Sequence, residues 1–355
     1  MTAADRYAIA HADTKPKTPK ASKGWRSGFC GLRAEAWQHE RCKGTSPQGT
    51  VCICTCHQSP VGEAPTPTVE GTPPALAPRS PGHLRELPDL IQGSEDWHDQ
   101  RRGMVTASVV GQLVSVNTPD PLTLDCPKCE AVAGTSCVST ARKVPTPIKA
   151  VHSERTAAAS TLPPVYTTAT TDTAQGLTAL LATERVTGWT EDTPMTSDMW
   201  RGVEAEPFAR EKYAEHYAPV TEVGFMVREA DDWRLGYSPD GLVGDDGLIE
   251  IKAPRAKTHF RTILADEVPS HYMAQCQAGL LVSGRKWLDF VSFVGGMPLY
   301  RKRVEPDPQW FDAITAACIA FEANAAQIVA DYEARVDGLP MTERIDFNTV
   351  ELKLA

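Results

Sequence analysis

The segment Gly247–Lys252, GLIEIK, sets the hardest condition on how this chain folds: it is apolar enough for the middle of a sheet, yet it carries an acid and a base. Residues two apart on a strand leave the same face, so Glu250 and Lys252 emerge side by side among Leu248, Ile249, Ile251 and Ala253. Charges in such a place are costly unless they are paired or hold a metal. Upstream, the turn Gly244-Asp245-Asp246-Gly247 returns the chain so that Asp240 folds back beside the strand. Two carboxylates and one ammonium therefore converge, with Pro239, Gly241 and Pro254 fixing the backbone around them. Carboxylate oxygens are hard ligands that suit Mg²⁺ or Mn²⁺, and such an ion can hold a phosphodiester oxygen and lower the pKa of a water. Lys252 can then orient or deprotonate that water and offset charge growing on phosphorus. A charged, solvated hairpin is the plain alternative, and the apolar neighbours of the strand speak against it.

Around this strand the pattern predicts an α/β fold, a mixed sheet flanked by helices. Ser94 can cap a helix opening at Glu95, Asp96 and Trp97, with Trp97 in the core. Further helices are expected over 107–114, 153–159, 174–187 and 198–217, the last with Trp200, Val203, Phe208 and Tyr213 at helical intervals. Residues 220–254 read as strands in a curved meander or hairpin, followed by helices over 257–266 and 270–283 and strands over 287–294 and 298–304. A last amphipathic helix covers 308–334, with Phe311, Ile314, Cys318, Phe321, Ile328 and Tyr332 mostly on one face. In a chain of 355 residues this gives a tail over 1–28, a Cys/His module over 29–57 and a Pro-rich linker over 58–90. The main domain then runs over 91–335, with an insertion at 121–160 and a tail at 336–355. No unbroken apolar run approaches the ~18–20 residues that cross a bilayer, and the first residues lack the pattern of a signal peptide. No membrane contact and a cytoplasmic location are expected.

Eight of the ten cysteines fall in two tight groups with histidines nearby, a spacing that suits metal better than disulfides. Cys126, Cys129, Cys137 and His152 would supply three thiolates and an imidazole, a full tetrahedral set for a structural Zn²⁺. The first group, Cys30, His39, Cys42, Cys52, Cys54, Cys56 and His57, offers seven ligands where one ion needs four, so a second zinc is expected without a fixed ligand set. Cys276 and Cys318 stand apart and read as small buried apolar residues. The net charge of −9 argues against a protein that coats nucleic acid, which would be basic. It leaves room for an enzyme that gathers carboxylates around metal and places a few cations where phosphates lie.

Five separated blocks, in one order, carry a family resemblance: DWHDQRRGMVTAS, TALLATERVTGW, SDMWRGVEAEPFAR, SPDGL followed by EIKAP, and HYMAQCQAGLLVSG. From about Gly93 to Val304 the chain resembles the family of lambda exonuclease and the YqaJ-type viral recombinases, which are nucleases of the PD-(D/E)xK kind. The resemblance implies that Asp240 and Glu250, with the backbone carbonyl of Ile251, hold the metal and that Lys252 positions the attacking water. It implies Glu206 as a helix-borne acid, with Glu204 the nearby alternative, and Gln275 beside the lysine, with Gln277 a neighbouring polar residue. Arg101 and Ser108 match the pair that holds a terminal 5′ phosphate. The activity implied is 5′→3′ exonucleolytic digestion of double-stranded DNA ends that leaves 3′ single-stranded tails for phage recombination. An annealing protein as partner, a homotrimeric ring and the cytoplasm of a phage-infected bacterium as location follow from the same source. The CPKC insertion resembles small zinc modules of actinobacterial and actinophage proteins and departs from the lambda pattern. An endonuclease of restriction or repair type, which would cut closed circles, and a non-catalytic zinc-dependent DNA-binding adaptor are the competing classes.

Overall fold

The computed structural model describes residues 82–141, 144–191 and 195–344. The expected tail, the first Cys/His cluster and most of the linker lie outside the described residues. Nine strands and seven α-helices are present among those described, in the order β1 (His83–Leu87), α1 (Glu95–Arg101), β2 (Val114–Asn117), α2 (Ser153–Ala159), β3 (Val165–Thr168), α3 (Asp172–Thr187) and α4 (Ser197–His216). There follow β4 (Phe225–Glu229), β5 (Arg234–Tyr237), β6 (Gly241–Val243), β7 (Gly247–Lys252), α5 (Ala256–Ala265), α6 (Ser270–Ser283), β8 (Trp287–Ser292), β9 (Tyr300–Val304) and α7 (Pro308–Val336).

The strands form three sheets, ordered β1-β4-β5, β2-β3 and β6-β7-β8-β9. In the four-stranded sheet β7 and β8 run parallel, Glu250 beside Phe290, and the two outer pairings are antiparallel. Such a mixed sheet, covered on both faces, is the expected class. The alternation of β7 shows why. Leu248 joins the main core with Leu288, Phe290 and the helix residues Cys276, Leu280, Ile314, Cys318 and Phe321. Ile249 and Ile251 point the other way and pack with Ala209 and Tyr213 of α4. Each large apolar side chain buried in this way contributes about 1.5–3 kcal/mol. At Gly247 a β-carbon would stand 2.2 Å from the Trp287 ring, so only glycine lets β7 start beneath that indole.

Several elements end where local chemistry says they should. Ser94 Oγ accepts from Trp97 N at 3.2 Å and opens α1. Thr171 and Thr196 cap α3 and α4 in the same way, and Gly188 and Gly284 close α3 and α6 with positive φ.

Other expectations fail. The stretch 83–87, read as linker, is a strand because β4 supplies its partner. The helix expected over 107–114 is a single 3₁₀ turn, Val110–Leu113, and its end becomes β2, whose β-branched residues pair with the VYTT of β3. The expected meander divides between two sheets: β4-β5 is one hairpin and β6-β7 another. On α4, Tyr213 is buried, but Trp200, Val203 and Phe208 are exposed, since nothing among the described residues covers that face. The last helix contains no unbroken apolar run of bilayer-spanning length, since Asp312, Glu322 and Asp331 interrupt it, yet it passes a coarser measure. By length and mean hydropathy, 1.5 over 18 residues, α7 is apolar enough to cross a membrane. Its apolar character is largely alanine, and Trp310, Ile314, Cys318 and Phe321 are packed in the core.

Candidate active site

Asp240, Glu250, Ile251 and Lys252 line one cavity of about 710 Å³ together with Glu206 from α4, Gln275 from α6, Arg101 from α1 and Ser108. Eight residues that the sequence assigns to the nuclease site thus meet in one place. Glu250 is the hub. Its carboxylate, 1% exposed, accepts from Lys252 Nζ at 2.6 Å and Gln275 Nε2 at 2.5 Å through Oε1, and from the Tyr237 hydroxyl at 3.2 Å through Oε2. Asp240 turns toward β7, and its Oδ2 accepts from Ile251 N at 2.5 Å. Tyr237 reaches Glu250 because Gly279 opposes it: a β-carbon there would lie 2.8 Å from the ring.

Burial, and then the charge of Glu250, push the Asp240 carboxyl well above the usual carboxylate range. Burial, opposed by Arg210, also raises Glu206. For Lys252, burial disfavours the charged form, but Glu250 and Asp240 outweigh it and hold the ammonium protonated above the ordinary lysine value. Burial and the same carboxylates keep Tyr237 neutral, a donor only toward Glu250. Three carboxylates, Asp240, Glu250 and Glu206, thus share the cavity with Lys252, and Arg210 pairs with Glu206 and with Glu222. Hard oxygen donors gathered this closely fit a divalent metal ion.

Across the cavity, the Arg101 guanidinium lies 3.9 Å over the Trp97 ring, and burial lowers its pKa to about 10. It donates to no protein acceptor among the described residues. Trp97 is mostly buried, as expected, and donates from Nε1 to Ser238 Oγ at 2.8 Å. Ser108 is exposed and 3.1 Å from the Thr106 hydroxyl. Glu204 lines a different pocket, so of the two glutamates it is Glu206 that α4 turns into the cavity. Gln277 is a joint elsewhere, donating to Glu305 O and accepting from Asp307 N at the start of α7.

Tyr237, Arg210 and the group at the cavity mouth are absent from the sequence reading. At the mouth, Asp198 Oδ1 accepts from Arg201 at 2.7 Å and Arg255 at 3.0 Å. Arg210, four residues after Glu206 on α4, holds that carboxylate and donates to Asp240 O at 2.9 Å. Its spacing is the signal that could have found it.

The ligand atoms of Cys126, Cys129, Cys137 and His152 all lie within 4.8 Å of one another, a compact candidate metal site in the insertion. The seven residues of the first Cys/His cluster lie outside the described residues.

The comparisons with known proteins bear on the fold and the family. No curated protein sequence matches the chain. Among solved structures, an alkaline exonuclease from Laribacter hongkongensis is 27% identical, with a TM-score of 0.50, over 70% of this chain and 100% of its own. The same exonuclease in complex with dAMP matches at 28% identity and a TM-score of 0.49 over the same shares. The model of the YqaJ-like viral recombinase domain matches residues 96–286, more than half of the 355. The span runs from α1, with Arg101, to the end of α6, with Gln275, and so takes in every cavity residue named above: the chain belongs to the YqaJ-like viral recombinase domain family.

Proposed function

We propose that the protein is a Mg²⁺-dependent DNA exonuclease that enters at the ends of linear duplexes, digests 5′→3′ and leaves 3′ single-stranded tails for phage homologous recombination. The observation that carries this reading is one cavity holding both the Asp240–Glu250–Lys252–Gln275 group and the Arg101 guanidinium, which donates to no protein acceptor among the described residues. The first suits phosphodiester hydrolysis and the second suits a terminal phosphate, so together they describe a cut measured from an end. A 27%-identical structural relative is named as an alkaline exonuclease.

Asp240, Glu250 and the Ile251 carbonyl would hold the ion, which supplies Lewis acidity toward a phosphodiester oxygen. Lys252 orients a water from its protonated Nζ and donates toward the oxygens on which charge grows. Gln275 and Tyr237 fix Glu250 from two sides, so its geometry does not have to form during the reaction. Glu206, held above the usual carboxylate range, is placed to exchange a proton in the same space. Arg101 and Ser108 grip the 5′ phosphate by charge-assisted hydrogen bonds, and Arg201 and Arg255 at the mouth meet the strand backbone. The Cys126–Cys129–Cys137–His152 site takes Zn²⁺ as a closed structural centre. A strand-annealing protein as partner, a three-subunit ring and action in the bacterial cytoplasm complete the proposal on the strength of the family.

Purified protein with Mg²⁺ on end-labelled linear duplexes, with and without 5′ phosphate, beside supercoiled circles, tests it. Linear DNA should be degraded from 5′ ends, and circles should survive; rapid cutting of circles would make it an endonuclease. Arg101→Ala should slow digestion of 5′-phosphorylated ends by about 10- to 100-fold, the worth of a charged hydrogen bond, and slow 5′-hydroxyl ends much less. Equal losses on both would remove the end-recognition role.

A further inference from the structure

Arg155 lies on α2, three residues after His152, and its side chain is wholly buried, 0% exposed. Its guanidinium donates from Nε to Leu124 O at 2.8 Å, and from Nη1 to Thr135 O at 2.8 Å and Cys137 Sγ at 3.5 Å. From Nη2 it donates to Leu122 O at 3.3 Å and Val132 O at 3.2 Å. No carboxylate is among these partners. A buried cation with only carbonyls around it is strongly disfavoured unless a negative charge lies close by.

Among the described residues, the one partner of its guanidinium that can carry negative charge is Cys137 Sγ. With three Cys ligands deprotonated and His152 neutral, a divalent ion leaves the centre one unit negative, and Arg155 restores neutrality. With the thiols protonated and no metal, the same pocket holds one uncompensated cation. With thiolates and no metal it is two units negative. With all three thiolates formed, as a tetrahedral metal site requires, balance calls for a divalent ion.

We infer that Arg155 is the charge partner of the Cys126–Cys129–Cys137–His152 centre, a positioning residue that selects and retains a divalent soft-ligand ion such as Zn²⁺. This rests on the zinc reading of those four ligands. It adds a fifth residue whose cation is needed electrostatically, beyond its role in pinning four carbonyls of the insertion. The donor to Cys137 Sγ also withdraws electron density from that sulfur, as outer-shell hydrogen bonds to metal ligands do.

The test uses the full chain with zinc bound. Alkylation of Cys126, Cys129 and Cys137 is followed by peptide mass spectrometry in the presence of a chelator, which separates these thiols from the other seven cysteines. In the wild type the three should be protected. Arg155→Gln keeps donors for the carbonyls but removes the charge, and should lose protection about 10- to 100-fold faster, the range for removing an outer-shell partner. Raising free zinc should restore protection to that variant by mass action. Arg155→Lys keeps the charge with fewer donors and should stay within a few-fold of wild type. Equal losses in the Lys and Gln variants would overturn the inference, since a residue that only pins carbonyls depends on shape rather than charge. Wild-type protection in Arg155→Gln would overturn it as well. Reactive thiols in the zinc-loaded wild type would instead defeat the zinc reading itself.

Discussion

In the cavity, Glu250 is buried under three donors while Asp240 and Glu206 crowd beside it, so burial and like charge hold the Asp240 and Glu206 carboxyls above their ordinary range. In the insertion, four ligands close to within 4.8 Å and a fully buried arginine stands behind them, so the centre balances once a divalent ion is in place. Both regions gather metal-binding groups, but one lines a cavity of about 710 Å³, while the other offers a full tetrahedral set that leaves no open coordination position. The difference separates a site kept under electrostatic tension for an arriving ion and phosphate from a site whose ion replaces a core. A chain of this length can carry both because each is built from its own elements: β5–β7, α4 and α6 for the first, the loop before α2 for the second.

The comparison breaks most visibly at Lys252. Lys252→Ala should lower the rate of DNA degradation by roughly 10²- to 10⁴-fold, the scale for a residue acting on the proton being moved. Nuclease assays on protein shown to be folded by circular dichroism check this, and near wild-type digestion would end the catalytic reading of the cavity.

Next in size is the insertion. Cys129→Ser should reduce zinc content by about one equivalent relative to wild type, as expected for one tetrahedral site, measured by elemental analysis under reducing conditions. Unchanged zinc would mean that the four ligands hold none.

The smallest effect concerns stability. Because the folded Asp240 carboxyl titrates above its unfolded value, its ionisation is resisted by the native state. The native state is therefore favoured at low pH and loses that advantage as pH rises from the unfolded carboxylate pKa toward the raised folded one. Without metal at neutral pH, Asp240→Asn should raise the melting temperature by a few degrees, about 1 kcal/mol. The Mg²⁺-induced rise seen in the wild type should disappear. A lower melting temperature for the metal-free variant would show that the cavity is not under the tension described.

How much of this could be read in the sequence depended on distance along the chain. Ser94, the Gly244–Gly247 turn and the Glu250/Lys252 pair act within a few residues, and the structure has them where local rules put them. Eight cavity residues and four insertion ligands are also legible in the sequence, the former because five blocks resemble a family and the latter because of their spacing. Elements that need a distant partner were missed. β1 sits in a proline-rich stretch and forms only against β4, some 140 residues later, and β2 forms only against β3 on the far side of the insertion. Periodicity placed Trp200, Val203 and Phe208 on α4 correctly as helical residues but could not say whether that face is covered. Tyr237 was invisible for another reason: its donor role exists only because Gly279 leaves room for the ring.

The β2–β3 ladder has one more consequence. Val114–Asn117 and Val165–Thr168 pair antiparallel, with Asn117 opposite Val165, so everything between them leaves and re-enters the domain through a single doorway two strands wide. Closing a longer loop over such a doorway adds only about 0.6 kcal/mol for each doubling of its length. Segments of very different size are therefore interchangeable there with little strain on the rest. The metal-binding insertion is in this sense a cartridge: the nuclease core supplies a standard socket, and what is plugged into it can change without the core having to be rebuilt.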